Sequence, residues 1–123
     1  MEKNPKVIDL GAMMPEQMLP GLTRRYASGE QTTVTLFEYT TGGVAPMHAH
    51  RQEQVSYVVR GRLKATVGGH TFELGPGQAV LVPPHVPHRF EALTDALEID
   101  FFTPARDDWA AGDDRYLRSL GST

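Results

Sequence analysis

Glycine and proline cut this chain into short pieces: 12 glycines and 9 prolines are spread through 123 residues. The intervals between them are short, rich in β-branched residues, and alternate apolar with polar side chains. That pattern specifies an all-β sandwich or barrel of short strands joined by tight turns. Strands are expected at 7–10, 22–26, 31–40, 55–59, 62–67, 71–74, 79–82, 88–92 and 97–102. Residues 11–20 read as a loop anchored by Met13, Met14 and Met18, with a short helical turn at 16–19. Gly68-Gly69 joins two of the strands as a hairpin, because both turn positions tolerate positive φ. Segment 55–59 reads as a continuous apolar strand, and 79–82 as a buried one. Segment 31–40 carries apolar residues on both faces, Val34 and Leu36 on one, Phe37 and Tyr39 on the other. One face then meets a core and the other a second sheet or a subunit. Beyond Pro104 the composition turns charged, and 107–120 reads as a tail with a short helix docked by Trp109, Tyr116 and Leu117. A single domain spans 1–123, with its barrel core at about 31–103.

Composition removes several function classes. Hydrophobic residues make up 40% and charged residues 22% of the chain, enough for an ordinary globular core. The formal net charge of −3 offers no broad basic footprint for nucleic acid. With no cysteine, disulfides, thiolate metal sites and thiol nucleophiles are all excluded. No segment approaches the ~20 apolar residues that span a bilayer. The N-terminal MEKNPKVIDLG has no apolar run of the secretory kind. The expected setting is cytoplasmic, without a membrane partner.

The chemistry concentrates in 48–61, HAHRQEQVSYVVRG. On a strand-like path, side chains alternate with period two. His48, His50 and Gln54 share parity and project to one side. Glu53 points away unless the chain bulges, in which case Glu53 replaces Gln54. A second stretch, GQAVLVPPHVPH, brings His88 after another strand. Imidazole and amide or carboxylate oxygen are donors that divalent transition metals accept. His48, His50, Gln54 and His88 are therefore the candidate ligands of one such ion. His85, among prolines, reads as a surface or mouth residue, and His70, at a hairpin tip, as solvated. Near the C-terminus, Glu98, Asp100 and Phe102 share parity. Alternation alone leaves two readings: this acidic set lines the barrel with Arg106 at its mouth, or Ile99 and Phe101 face the core instead.

The spacing of these residues resembles the two signature motifs of the cupin superfamily. The first, G-x5-H-x-H-x3–4-E-x6-G, matches at Gly42, His48, His50 and Gly61, with Gln54 in the place of the glutamate. The second, G-x5-P-x-G-x2-H-x3-N, matches at Gly77, Pro83 and His88, with His85 for the glycine and Ala92 for the asparagine. The resemblance implies a double-stranded β-helix, a jelly-roll barrel, with a short C-terminal helical tail. The run DFFTPARDDW, preceded by H-x-H-x3-Q and P-P-x3-H, is similar to small pectin-degradation cupins of the KdgF type. The likeness spans Gly42 to about Trp109 and departs at Gln52, often histidine in that family. It implies a divalent metal (nickel, iron, manganese or zinc) and a small carboxylate substrate, a 4,5-unsaturated uronate opened to the linear 5-keto acid. Asp100 would shuttle a proton, Arg106 would clamp the carboxylate, and Phe102 would pack on the sugar ring. Three imidazoles and an amide leave the ion's charge uncompensated, which suits an anionic substrate. The competing readings are a metal-dependent dioxygenase or lyase on another small acid, and a non-catalytic sugar- or metal-sensing module. A homodimer is expected, formed through an edge strand or the N-terminal segment, and the two-faced strand at 34–39 suits it.

Overall fold

The computed structural model describes residues 4–117. Among them are ten strands: β1 (Glu16–Leu19), β2 (Leu22–Ser28), β3 (Thr33–Tyr39), β4 (Val44–His48), β5 (Glu53–Arg60), β6 (Leu63–Val67), β7 (His70–Leu74), β8 (Ala79–Val82), β9 (His88–Ala92) and β10 (Ala96–Thr103). A single turn of α-helix, α1 (Asp107–Ala110), follows β10 across a cis Thr103–Pro104 bond. The strands form a six-stranded sheet in the order β1-β2-β3-β10-β5-β8 and a four-stranded sheet in the order β4-β9-β6-β7. All pairings are antiparallel. The result is a jelly-roll barrel, whose interior holds Phe37, Tyr39, Val58, Leu63, Phe90 and Phe102, each no more than 5% exposed. Among the described residues, no helix is long and apolar enough to cross a membrane.

Four expectations from the sequence are corrected. No strand forms at 7–10: Val7 is 97% exposed, and Leu10–Ala12 is a 3₁₀ turn capped by Asp9, whose Oδ1 accepts from the Ala12 amide. The helical turn expected at 16–19 is instead β1. It folds back on β2 through Pro20-Gly21, with Gly21 at φ 77°, and buries Met18 and Leu19. The Gln17 amide seals this turn by donating to the Leu19 and Leu22 carbonyls. Here ladder pairing and burial outweigh local propensity. Segment 79–82, expected to be buried, is not buried throughout, and the apolar run 55–59 alternates in the same way. The pleat turns Ser56, Val58 and Val82 inward, while Val55, Tyr57, Val59 and Leu81 are exposed. Finally, β3 lies between β2 and β10 and has no free edge, so 34–39 cannot pair with another chain edge to edge. Of the expected tail helix, only Asp107–Ala110 is α-helical; Arg115–Leu117 is a 3₁₀ turn, and 118–120 lie outside the described residues.

Gly61 has a structural duty. It sits at φ 82° where β5 turns toward β6, and a Cβ there would drive into the Asp95 carbonyl and Ala96. Left-handed backbone alone costs an L-residue about 1–2 kcal/mol, and the backbone collision adds to it. Gly61→Ala is expected to destabilise the fold by at least about 2 kcal/mol, read from the urea midpoint at unchanged m-value.

Candidate metal centre and its cavity

The metal-site residues come from both sheets. His48, at the end of β4, pairs directly across the ladder with His88, at the start of β9. Between Ala45 and His48 the register slips. This bulge lies where Pro46 removes a ladder donor and Met47 turns outward, 52% exposed. Ala45 faces the core, so strict alternation would send His48 outward; the bulge resets it. His50 follows in the link from β4 to β5, and Gln54 stands on β5 in the other sheet. One continuous strand path is therefore not what aligns these residues. Glu53 is exposed, and Gln54 is 3% exposed. The ring nitrogens of His48, His50 and His88 lie within 4.8 Å of one another, and Gln54 Oε1 is 2.9 Å from His50 Nε2.

Backbone carbonyls set the tautomers. His48 Nδ1 lies 2.7 Å from the Pro46 carbonyl, His50 Nδ1 3.1 Å from that of Gln52, and His88 Nδ1 2.9 Å from that of Val86. Each Nδ1–H therefore donates outward, leaving the Nε2 lone pair for the cluster. Burial holds the rings neutral: it lowers His48 to about 3 and His50 to about 4, and lowers His88 as well. Two acceptors, His50 Nε2 and Gln54 Oε1, then face each other with no proton between them. His88 Nε2 is buried with no hydrogen-bond partner among the described residues. The Gln54 amide is oriented from behind, donating to Ser56 Oγ at 2.8 Å and Asp100 Oδ2 at 3.4 Å. Three inward lone pairs and an amide oxygen fit a divalent transition metal, which His48, His50, His88 and Gln54 would hold.

Next to the cluster is a cavity of about 20 Å³, room for about one water. Its walls include His48, Gln54, Asp100, Phe102, Arg106 and Tyr116. The acids on β10 point inward: Glu98 is 0%, Asp100 2% and Phe102 2% exposed, while Phe101 is 46% exposed. The ladder sets Asp100 between Thr35 on β3 and Ser56 on β5. Burial raises Asp100 to about 7, although hydrogen bonds from Ser56 and Glu98 and the Arg106 charge oppose it. Glu98 is raised too, by burial and then by the Asp100 charge, and its Oε1 accepts from Tyr39 at 3.2 Å. Arg106, 1% exposed, lies over the rings of Phe102 (4.8 Å) and Trp109 (4.3 Å). Its Nε and Nη2 hold Asp108 at 3.0 and 2.8 Å. Its Nη1 is buried with no partner among the described residues.

Two site features were not read from the sequence. Glu98 served only to set parity there, yet it is a fully buried acid next to Asp100. Tyr116 was read as a docking residue, yet it stacks on the His48 ring at 4.3 Å and lines the cavity. No motif marks either residue. His85 is exposed at φ 66° and His70 is exposed, so neither joins the cluster.

The buried groups make opposing contributions to pH stability in metal-free protein. An unfolded imidazole takes its proton near pH ~6.5, but folded His48 and His50 resist until about 3 and about 4, and His88 is lowered too. The unfolded state then binds more protons across that window, so stability falls as pH drops through it. Asp100 and Glu98 act in the opposite sense: raised pKa values make stability fall as pH climbs past the ordinary carboxyl range toward about 7 and beyond. With three imidazoles against two carboxyls, the melting temperature in chelator should peak near about pH 6. Glu98→Gln should flatten the alkaline limb alone; an unchanged limb would contradict this account.

A family model described as a cupin domain matches residues 35–103. The chain is similar to the structure of KdgF from Halomonas sp., with 29% identity, a TM-score of 0.81, and 86% of this chain and 99% of that one covered. It is also similar to an RmlC-like cupin from Shewanella frigidimarina NCIMB 400, with 32% identity, a TM-score of 0.80, and 89% and 99% covered. An uncharacterised protein of Streptomyces coelicolor is 33% identical over 67 residues, which cover 54% of this chain and 64% of that protein's length.

Proposed function

The chain belongs to the cupin family, and on that premise we propose that it is a metal-dependent enzyme that opens the ring of 4,5-unsaturated uronates. The observation that carries this reading is Arg106, which lines the cavity beside a cluster of neutral donors and whose buried Nη1 has no partner among the described residues. Both features call for an anion. The likeness to KdgF and the Asp100-Phe102-Arg106 set point to a sugar acid as that anion.

The substrate is a cyclic enol ether with a C1 hydroxyl and a carboxylate on C5. Ring opening breaks C1–O5, makes a carbonyl at C1, and leaves an enol at C5 that tautomerises to the ketone. One proton leaves the C1 hydroxyl and one arrives at C4, so the reaction is an isomerisation with nothing consumed. A divalent metal in the cluster would supply Lewis-acid polarisation of a substrate oxygen. Arg106 holds the carboxylate through Nη1 as a charge-assisted hydrogen bond. Asp100, titrating near neutrality because it is buried, accepts the C1 hydroxyl proton and returns one to C4. Phe102, 2% exposed, offers an apolar face to the ring and excludes water.

The test is purified, metal-loaded protein mixed with an unsaturated uronate from a lyase digest. The ultraviolet absorbance of the conjugated enol ether should decay faster than in buffer, with a linear ketone seen by NMR. Oxygen uptake with an iron-loaded sample in place of that decay would favour a dioxygenase instead.

A homodimer is part of the proposal, now through a sheet face. Val34, Phe101, Val55 and Leu81 are successive ladder partners on the outer face of the six-stranded sheet, with Tyr57 in the next row. Phe101 and Leu81 are 46% and 55% exposed, and such contiguous apolar surface marks interfaces. Val55→Glu is expected to halve the mass measured by light scattering; an unchanged mass rejects this face.

A further inference from the structure

The cavity beside the cluster is far smaller than a sugar acid requires, since ligand pockets ordinarily run to about 300 Å³ or more. Its size, about 20 Å³, is set in part by Tyr116 and Leu117, which line it from the chain beyond α1. Tyr116 makes three contacts that matter. Its ring stacks on His48 at 4.3 Å with 22° between planes. Its Oη accepts from Arg106 Nη2 at 3.0 Å and from the Trp109 indole N–H at 3.1 Å. The tail is held down by Asp114, whose Oδ2 accepts from the buried Arg24 at 3.0 Å, and by Leu117, 1% exposed. A second depression, of about 270 Å³, also touches His50 and is lined by Arg51, Asp107 and Asp108. Arg51 is already paired with Asp107 there at 3.2 Å, whereas the buried Arg106 lines the cavity on the tail side, so the tail side is the route for an anion.

We propose that Tyr116 is a specificity gate: its phenol oxygen occupies on Arg106 the position a substrate carboxylate takes, and the carboxylate enters by displacing it. The inference rests on the uronate reading for its ligand, but not for its geometry. When Tyr116 leaves, Nη2 joins the unpartnered Nη1, and Arg106 presents two adjacent N–H donors, the fork that matches a carboxylate. The exchange discriminates among ligands. A neutral sugar breaks two hydrogen bonds to Tyr116 and replaces them with weaker ones. A carboxylate replaces the phenol with a charged acceptor. Binding is weakened by the closed fraction, so loosening the gate tightens binding without any new contact to the ligand.

The chain carries its own reporter, because Trp109 is the single tryptophan and its N–H is bonded to Tyr116. Metal-loaded wild type, Tyr116→Phe and Asp114→Asn are titrated with galacturonate, a saturated uronate, and followed by Trp109 emission and calorimetry. Phenylalanine keeps the stacking and removes the hydroxyl. Each variant should bind galacturonate about fivefold tighter: in Tyr116→Phe the phenol no longer competes for Arg106 Nη2, and in Asp114→Asn the neutral side chain holds Arg24 less strongly and so raises the open fraction. The emission of unliganded Tyr116→Phe should already resemble that of liganded wild type. In a second readout, a chelator should strip metal faster from both variants than from wild type. Unchanged or weaker galacturonate binding together with unchanged stripping overturns the gate. Faster stripping in both variants, with no galacturonate binding by any of the three proteins, keeps the gate and sinks the uronate reading. Thermal melts before titration show which variants are folded, and Asp114→Asn tests the gate with the Tyr116 side chain intact.

Discussion

Asp100→Asn is expected to lower turnover of an unsaturated uronate by about 10²–10⁴-fold, the range for loss of a positioned acid–base group. The substitution is nearly isosteric. The side-chain oxygen of asparagine still accepts from Gln54, as Asp100 Oδ2 does at 3.4 Å, so the metal cluster keeps its support. Bound metal should stay at the wild-type level and KM should change little, because Arg106 rather than Asp100 meets the substrate carboxylate. The wild-type kcat profile should carry an ionisation near about 7, from the buried carboxyl, and the variant should lack it. Equal turnover at equal metal content would remove Asp100 from the mechanism and return the proton transfer to water or to Glu98.

The second large effect concerns the metal. His88 is 0% exposed and is the cross-strand partner of His48. Leucine fits its volume but offers no lone pair. Four-ligand transition-metal sites bind with about 10–16 kcal/mol, so one ligand is worth about 3 kcal/mol, or roughly 10²-fold in affinity. His88→Leu should lose metal to that extent and with it all activity. The metal-free variant should melt no lower than metal-free wild type. The Val86 carbonyl loses a donor, but a buried Nε2 with no hydrogen-bond partner among the described residues is removed from the barrel. Wild-type metal affinity in His88→Leu, measured by competition with a chelator, would show that the ion does not sit among these imidazoles.

The two sides of the site were legible to different degrees. Inward-facing side chains on regular strands followed from the pleat, as with Gln54 inward and Glu53 outward. Parity also grouped Glu98, Asp100 and Phe102, but could not say which face of β10 meets the core, because Leu97, Ile99 and Phe101 are as apolar as core residues. The interior polar column of Thr35, Ser56, Glu98 and Asp100 could be built only if those apolar side chains turned outward, where the sheet carries its other exposed hydrophobics. The same ambiguity produced the reading of 79–82 as buried. An apolar strand looks alike whether its second face meets a core or an outer apolar surface. The N-terminal misreading was of another kind: the partner of 16–19 is β2, and a strand without an alternating pattern is visible only through its ladder.

What the sequence alone determined is the all-β class, the absence of thiol chemistry, and the set of donors able to meet a metal. These follow from residue identity and from local periodicity, which act within a few positions along the chain. Tertiary structure decided the rest. A bulge at Pro46-Met47 turns His48 inward, the pairing of β4 with β9 brings it to His88, and a returning tail lays Tyr116 over both the cluster and Arg106. Such contacts depend on ladder register and on packing between residues tens of positions apart. A one-residue change in register would send the same side chains to solvent.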